Sequence, residues 1–274
     1  MARAIKHIKA GPLHLEVIGA VPEGGPRKGR AGRSRPTCSA QQFYNDKCSW
    51  RELELMLAAN FTGRDLVLTL TYDTGHLPED KREAGESLQK FFRRFRTARR
   101  RRWEELRYIY NVEGFHGKAE DEYFGGDGSL EDRRLHHHVV LNSCGPGDLE
   151  EIRSLWPYGG YLRAEPLDLH YVRELAKYLT KEAREFGRGK PGERTWRGSR
   201  NLTKYEVEYI EIPSDSVTLT PPAGAVDVES FREKNPYGFA DCVGQRYLLF
   251  EAAGNPGYSY TAGRGGLAAR PDSH

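Results

Sequence analysis

The stretch Arg134-Leu135-His136-His137-His138-Val139-Val140-Leu141-Asn142 decides how this chain is read. It is short, carries a β-branched apolar run and reads as a strand. A second strand-like stretch, residues 106–113 (LRYIYNVE), precedes it, and a Gly- and acid-rich loop at 114–132 lies between the two. Two strands in succession, with no helix between them, argue for an antiparallel α+β sheet rather than a doubly wound parallel one.

The flanking periodicities extend that reading. Residues 66–72 (LVLTLTY) alternate and are β-branched, as a buried strand requires. From residue 81 to 102 the period changes: Leu88, Phe91, Phe92 and Phe95 recur at i, i+3, i+4 and i+7, one apolar stripe of a helix. A short helix is expected at 148–155, a short strand at 160–164, a strong helix at 169–185 and a last strand at 204–212. The order is β-α-β-β-α-β-α-β. Three regions result: 1–60, with a flexible basic segment at 19–35 and a short helix at 50–60; a compact domain at 61–212; and 213–274, a linker, a small aromatic lobe and a mobile Gly-rich tail.

Composition narrows the function classes. No run of about 18 apolar residues occurs, so no transmembrane helix is expected. The first nine residues carry scattered charge and do not read as a secretory signal. The four cysteines form no C-x-x-C pair. Cys38 and Cys48 could pair or hold a metal; the simpler reading is reduced thiols in a cytoplasmic protein. Net charge is only +3, yet seven arginines crowd residues 93–102. Arg93, Arg94, Arg96, Arg99 and Arg100 are the expected contacts to an anionic polymer. Such a run is often merely a solvated helix face.

Chemistry enters through strand alternation. Side chains of a strand point alternately to its two faces. Arg134, His136, His138, Val140 and Asn142 therefore share one face, and Leu135, His137, Val139 and Leu141 the other. His136 and His138 stand roughly 6.5–7 Å apart along the strand, close enough for both rings to converge on one cation. On the preceding strand Arg107, Ile109, Asn111 and Glu113 share a face, so Glu113 is the candidate third ligand. Two imidazoles suit a divalent transition metal, and a carboxylate widens the choice toward Mn²⁺ or Mg²⁺. On the 169–185 helix, Val172, Ala176, Leu179 and Ala183 form the apolar stripe. Tyr178 lies roughly 130° away from its centre at 100° per residue, on a face with Tyr171, Glu174, Lys181 and Glu182. It should point to a polar surface or cleft, with Lys181 beside it. Its phenol is a weak nucleophile with an ordinary pKa of about 10; charge withdrawn from a phosphate, and a nearby lysine, would both help it.

Together these residues resemble the HUH endonucleases, and more closely the phage and plasmid rolling-circle replication-associated proteins. Leu68-Thr69-Leu70-Thr71-Tyr72 looks like the family's first motif, residues 135–141 like its metal-binding motif, and Ala176-Lys177-Tyr178-Leu179-Thr180-Lys181 like its tyrosine motif. Glu113 precedes the histidines as the family's acidic ligand does. The resemblance covers about 60–209. It implies a ferredoxin-like, RRM-like sheet with the metal site on its open face. It further implies Tyr178 as nucleophile, a 5′-phosphotyrosine on a single-stranded origin hairpin, and a free 3′-hydroxyl for a polymerase. Three departures stand out. The middle of the metal motif is His137, not a bulky apolar residue, which leaves a shifted histidine pair open. There is one clear tyrosine motif, although Tyr171 could be a second nucleophile or a DNA contact. No G-x-x-x-x-G-K-[ST] loop is present, so unwinding would fall to a host helicase. The competing readings are a transposase or relaxase with the same chemistry, a non-catalytic DNA-binding regulator, and an RNA-binding sheet domain. Histidines where the last would carry aromatics count against it.

Overall fold

Every residue of the histidine strand is buried, which means that both faces of its sheet are covered. The computed structural model describes residues 3–20, 39–114, 135–159, 161–181, 194–212, 218–233 and 242–250. The elements are β1 (Arg3–Ala10), β2 (Leu13–Ala20), α1 (Ser39–Asn60), β3 (Leu66–Leu70), α2 (Lys81–Arg100), β4 (Tyr108–Glu113), β5 (His136–Leu141) and α3 (Asp148–Leu155). They continue with β6 (Leu162–Pro166), α4 (Val172–Leu179), β7 (Arg197–Gly198), β8 (Glu206–Ile212), β9 (Val226–Glu233) and β10 (Cys242–Leu248).

The central sheet has the order β6-β3-β5-β4-β7, antiparallel throughout. Its first four strands follow the β-α-β-β-α-β connectivity expected from the sequence, and the fold is α+β with helices on an antiparallel sheet. One face is built by α2 and α3. Phe91, Phe92 and Phe95 of the predicted stripe pack on Leu68, Leu70, Tyr108, Tyr110, Val139 and Leu141. Each such fully buried side chain stabilises the fold by roughly 1.5–3 kcal/mol, and Phe95→Ala would cost about 3–5 kcal/mol. Asp80 caps α2 by accepting a hydrogen bond from the Glu83 amide at 2.8 Å, which fixes where the helix begins.

The opposite face, which the family resemblance leaves open, is covered here by α1 and α4. Leu53, Met56 and Leu57 of α1 and Val172, Ala176 and Leu179 of α4 pack on Ile109 and Val140. Helix α1 is longer than the short helix expected at 50–60 and is apolar on more than one side. Its Leu55 and Ala58 face a second sheet, order β8-β1-β2-β10-β9, through Ile8, Ala10, Leu13 and Leu248. The strand expected at 204–212 forms there, as β8 on β1, rather than in the central sheet. Gly11 turns the β1–β2 hairpin at φ +56°, and a Cβ at that position would meet the Ala58 carbonyl oxygen at 2.3 Å. Only glycine satisfies both constraints.

The expected basic segment beyond Ala20, the loop beyond Gly114, Arg134, the helix beyond Lys181, Cys38 and the tail beyond Phe250 lie outside the described residues. Cys48 and Cys144 are free thiols. Among the described residues no helix is long and apolar enough to cross a membrane.

Candidate metal centre and tyrosine

Register brings the expected ligands together. Glu113 of β4 pairs with His136 of β5, and Asn111 with His138. Because β5 alternates, His136 and His138 leave the sheet on the α4 side. His137 leaves it on the α2 side, fully buried, with its Nε2 2.7 Å from the Tyr72 hydroxyl oxygen and its ring against Trp156. Burial holds the His137 imidazole far below its ordinary pKa, at about 3. It is a neutral core residue that faces away from the other two rings.

On the α4 side, His136 Nε2 and His138 Nε2 are 3.0 Å apart. His138 Nε2 is 3.0 Å from Glu113 Oε2, and His136 Nε2 is 3.4 Å from that oxygen. Donor atoms bound to one cation at about 2.0–2.2 Å stand about 3.0–3.5 Å apart for right-angled or tetrahedral arrangements, so this buried trio can hold a metal ion. Burial would raise the Glu113 carboxyl, but hydrogen bonds with His136 and His138 overcome it and hold the group well below the usual carboxylate range. Burial lowers the pKa of His138 despite its hydrogen bond with Glu113. An ionised carboxylate and a neutral imidazole are the states a metal requires of its ligands. The far nitrogen of His138, Nδ1, lies 3.3 Å from Thr69 Oγ1. That contact fixes the ring with Nε2 turned toward Glu113.

The tyrosine helix docks beside the trio. The Tyr178 ring lies 5.0 Å from the His138 ring, edge to face, and is 43% exposed. Lys181 Nζ sits 4.5 Å from the centroid of the Tyr178 ring and 3.0 Å from Glu113 Oε1. One carboxylate therefore faces the histidines with one oxygen and the lysine with the other. Tyr171 is exposed and starts the same helix. Helix α4 is secured at both ends. Asn111 Nδ2 donates to the Leu179 carbonyl at 2.7 Å, directly after Tyr178. At the other end, Arg173 pairs with Glu54 of α1 and Glu229 of β9. Glu54 also accepts from Arg246 Nε of β10 at 2.6 Å. The second sheet thus helps hold the helix that carries Tyr178.

Sequence reasoning missed Thr69, Asn111 and the Glu54–Arg173–Arg246 cluster. The first two were within reach: Asn111 shares the Glu113 face, and Thr69 alternates with apolar neighbours in the 66–72 strand. The cluster joins three distant segments and leaves no local signal.

The arginine run divides. Arg93, Arg94, Arg96 and Arg100 are exposed, on the far side of the sheet from the trio. Arg99 is not available to DNA: it is 0% exposed. Its NH2 lies 3.2 Å from Asp148 Oδ1, its NH1 donates to Asn142 Oδ1 at 2.9 Å, and its guanidinium covers the Phe95 ring. It lies four residues after Phe95, on the apolar stripe itself, and α3 brings it a carboxylate. Of the aromatics considered for base stacking, Tyr108 and Tyr110 are core residues, whereas Tyr161 is 64% exposed.

The model of the ORF2-type replication-associated protein family matches residues 65–183, the stretch that contains Glu113, the three histidines, Tyr178 and Lys181. No curated protein and no solved structure matches the chain. Family match and buried Glu/His/His group together support a replication-associated protein of the Rep type.

Proposed function

We propose that this protein is a metal-dependent, site-specific single-strand DNA endonuclease that nicks and rejoins its substrate through a 5′-phosphotyrosine and so starts rolling-circle replication. The observation that carries the proposal is the half-exposed Tyr178 ring set against His138 at 5.0 Å, at the rim of a buried trio with metal-ligand spacing.

Glu113, His136 and His138 would hold the metal, Mg²⁺ or Mn²⁺ by the donor set. When bound, the ion withdraws charge from the scissile phosphate and stabilises the leaving oxygen. Thr69 keeps the His138 ring turned so that Nε2 faces the trio. Lys181, held by Glu113, adds a fixed positive charge next to the phosphate that Tyr178 attacks. Tyr178 Oη bonds to phosphorus and gives up its proton. The bond from phosphorus to O3′ breaks with its electron pair on O3′, which takes a proton to become the free 3′-hydroxyl. In rejoining, a 3′-hydroxyl attacks the same phosphorus and Tyr178 leaves, so the bond energy is conserved in the covalent intermediate. Asn111 contributes by pinning the end of α4 on which the tyrosine sits. Polymerase and host helicase would act on the product.

Metal-stripped protein incubated with a labelled single-stranded hairpin tests this reading. Cleavage should be absent with chelator and return with Mn²⁺ or Mg²⁺. Cleavage that persists at full rate in chelator would overturn it. Tight DNA binding with no cleavage in any divalent metal would favour a non-catalytic DNA-binding regulator.

A further inference from the structure

Beside the outer edge of β4 lies a groove of about 1050 Å³, lined by Arg96 and Arg100 of α2 and by Arg194, Arg197 and Arg200 around β7. Five arginines face two glutamates there, and Glu104 already pairs with Arg102 at 2.9 Å. Arg100, Arg194, Arg197 and Arg200 are exposed and make no ion pair among the described residues. The wall is fixed rather than loose. The Ser199 amide donates to the Tyr108 carbonyl at 2.9 Å, the Tyr108 amide donates to Ser199 Oγ at 3.2 Å, and Gly198 packs against Ile109 and Leu202. Tyr108 and Tyr110 form a floor with their rings buried, so the groove offers cations and few aromatic faces. Its chemistry suits a phosphate backbone rather than bases.

Its position adds a direction. β7 pairs with β4 only at Ile109 and Tyr110. Glu113 lies three residues further along β4, roughly 10 Å at the rise of a strand. A flexible single strand leaving the groove can follow this edge and turn onto the face of the trio; a stiff duplex cannot. The geometry points to a second nucleic-acid site: the α2–β7 groove binds the phosphate backbone of a DNA strand whose continuation enters the metal centre. The inference rests on the proposed nicking reading for its direction, not for the binding itself.

The test is single-strand affinity by fluorescence anisotropy across a salt series, in the full chain. Arg197→Ala with Arg200→Ala should lower the affinity about tenfold and flatten the slope of log K against log salt by about 1.4, two phosphate contacts on a single strand. Arg197→Lys with Arg200→Lys should keep the slope, because the charges remain. The pair Arg82→Ala and Arg153→Ala removes equal charge elsewhere and should leave the slope unchanged. An unchanged slope in the alanine groove variant, or an equal fall in the Arg82/Arg153 control, overturns the groove. So does an equal loss of duplex binding, which would remove the single-strand assignment. Nicking is read separately, at saturating DNA. Wild-type protein that never nicks but shows the slope change defeats the nicking reading and keeps the groove. Nicking with an unchanged slope does the reverse.

Discussion

His137 and its two neighbours have the same side chain on the same strand, yet β5 gives them opposite surroundings. On the α2 side His137 meets Tyr72 and Trp156 and is shut off from solvent. On the α4 side His136 and His138 meet a carboxylate, a lysine and a half-exposed tyrosine. A triple histidine written out in one dimension does not say which ring is chemical. The two-residue period of the strand does, once one face is known to be apolar. Neutral His137 donates or accepts one hydrogen bond and otherwise fills space, while the pair can share a cation.

Breaking the pair should give the largest effect. His136→Ala with His138→Ala removes two of three ligands, and metal-dependent cleavage should fall by at least about 10³-fold, since both the bound charge and its orientation are lost. Single-strand binding through the arginine groove should persist. The readout is single-turnover cleavage alongside anisotropy; cleavage kept within a few fold would show that the pair is not the metal site. Thr69→Val keeps the shape of the side chain and deletes the hydroxyl beside His138 Nδ1. Metal affinity should drop by roughly 10–100-fold, the usual consequence of losing a partner that orients a ligand, and Thr69→Ser should restore it. Isothermal titration with Mn²⁺ decides, and an unchanged affinity would mean that Thr69 does not orient the ring. His137→Ala should leave metal affinity nearly intact and cost stability instead, about 1–3 kcal/mol for a cavity and a lost buried hydrogen bond. Thermal unfolding would show it as a lower Tm, by roughly 2–4 °C per kcal/mol. Loss of metal binding with an unaltered Tm would move the ligand pair by one residue.

The comparison also explains what was legible. The strands at 66–72, 106–113 and 134–142 announced themselves by alternation, and α2 by its phenylalanine stripe, because each has one clearly apolar face. Glu113, His136 and His138 followed from the same parity, and Tyr178 from its position off the stripe of α4. The cover over the metal face did not. Helix α1 uses Leu53, Met56 and Leu57 toward one sheet and Leu55 and Ala58 toward the other, so it shows no single stripe. The second sheet pairs β1 and β2 with β8 and β10 from the other end of the chain. Its strands carry charges such as Lys6, Glu16 and Glu208 between their apolar residues, which read as scattered polarity until the partners are known. Arg99 shows the opposite error: its place on the stripe was visible, but its buried partners Asp148 and Asn142 come from elements that sequence alone does not bring near.

The most direct measurement is the identity of the covalent bond. Protein, Mn²⁺ and a single-stranded origin hairpin are incubated, digested, and the peptides mapped by mass spectrometry. The nicking account predicts a nucleotide adduct on the peptide carrying Tyr178, absent from Tyr178→Phe. An adduct that survives in Tyr178→Phe, or that maps to Tyr171, would contradict it.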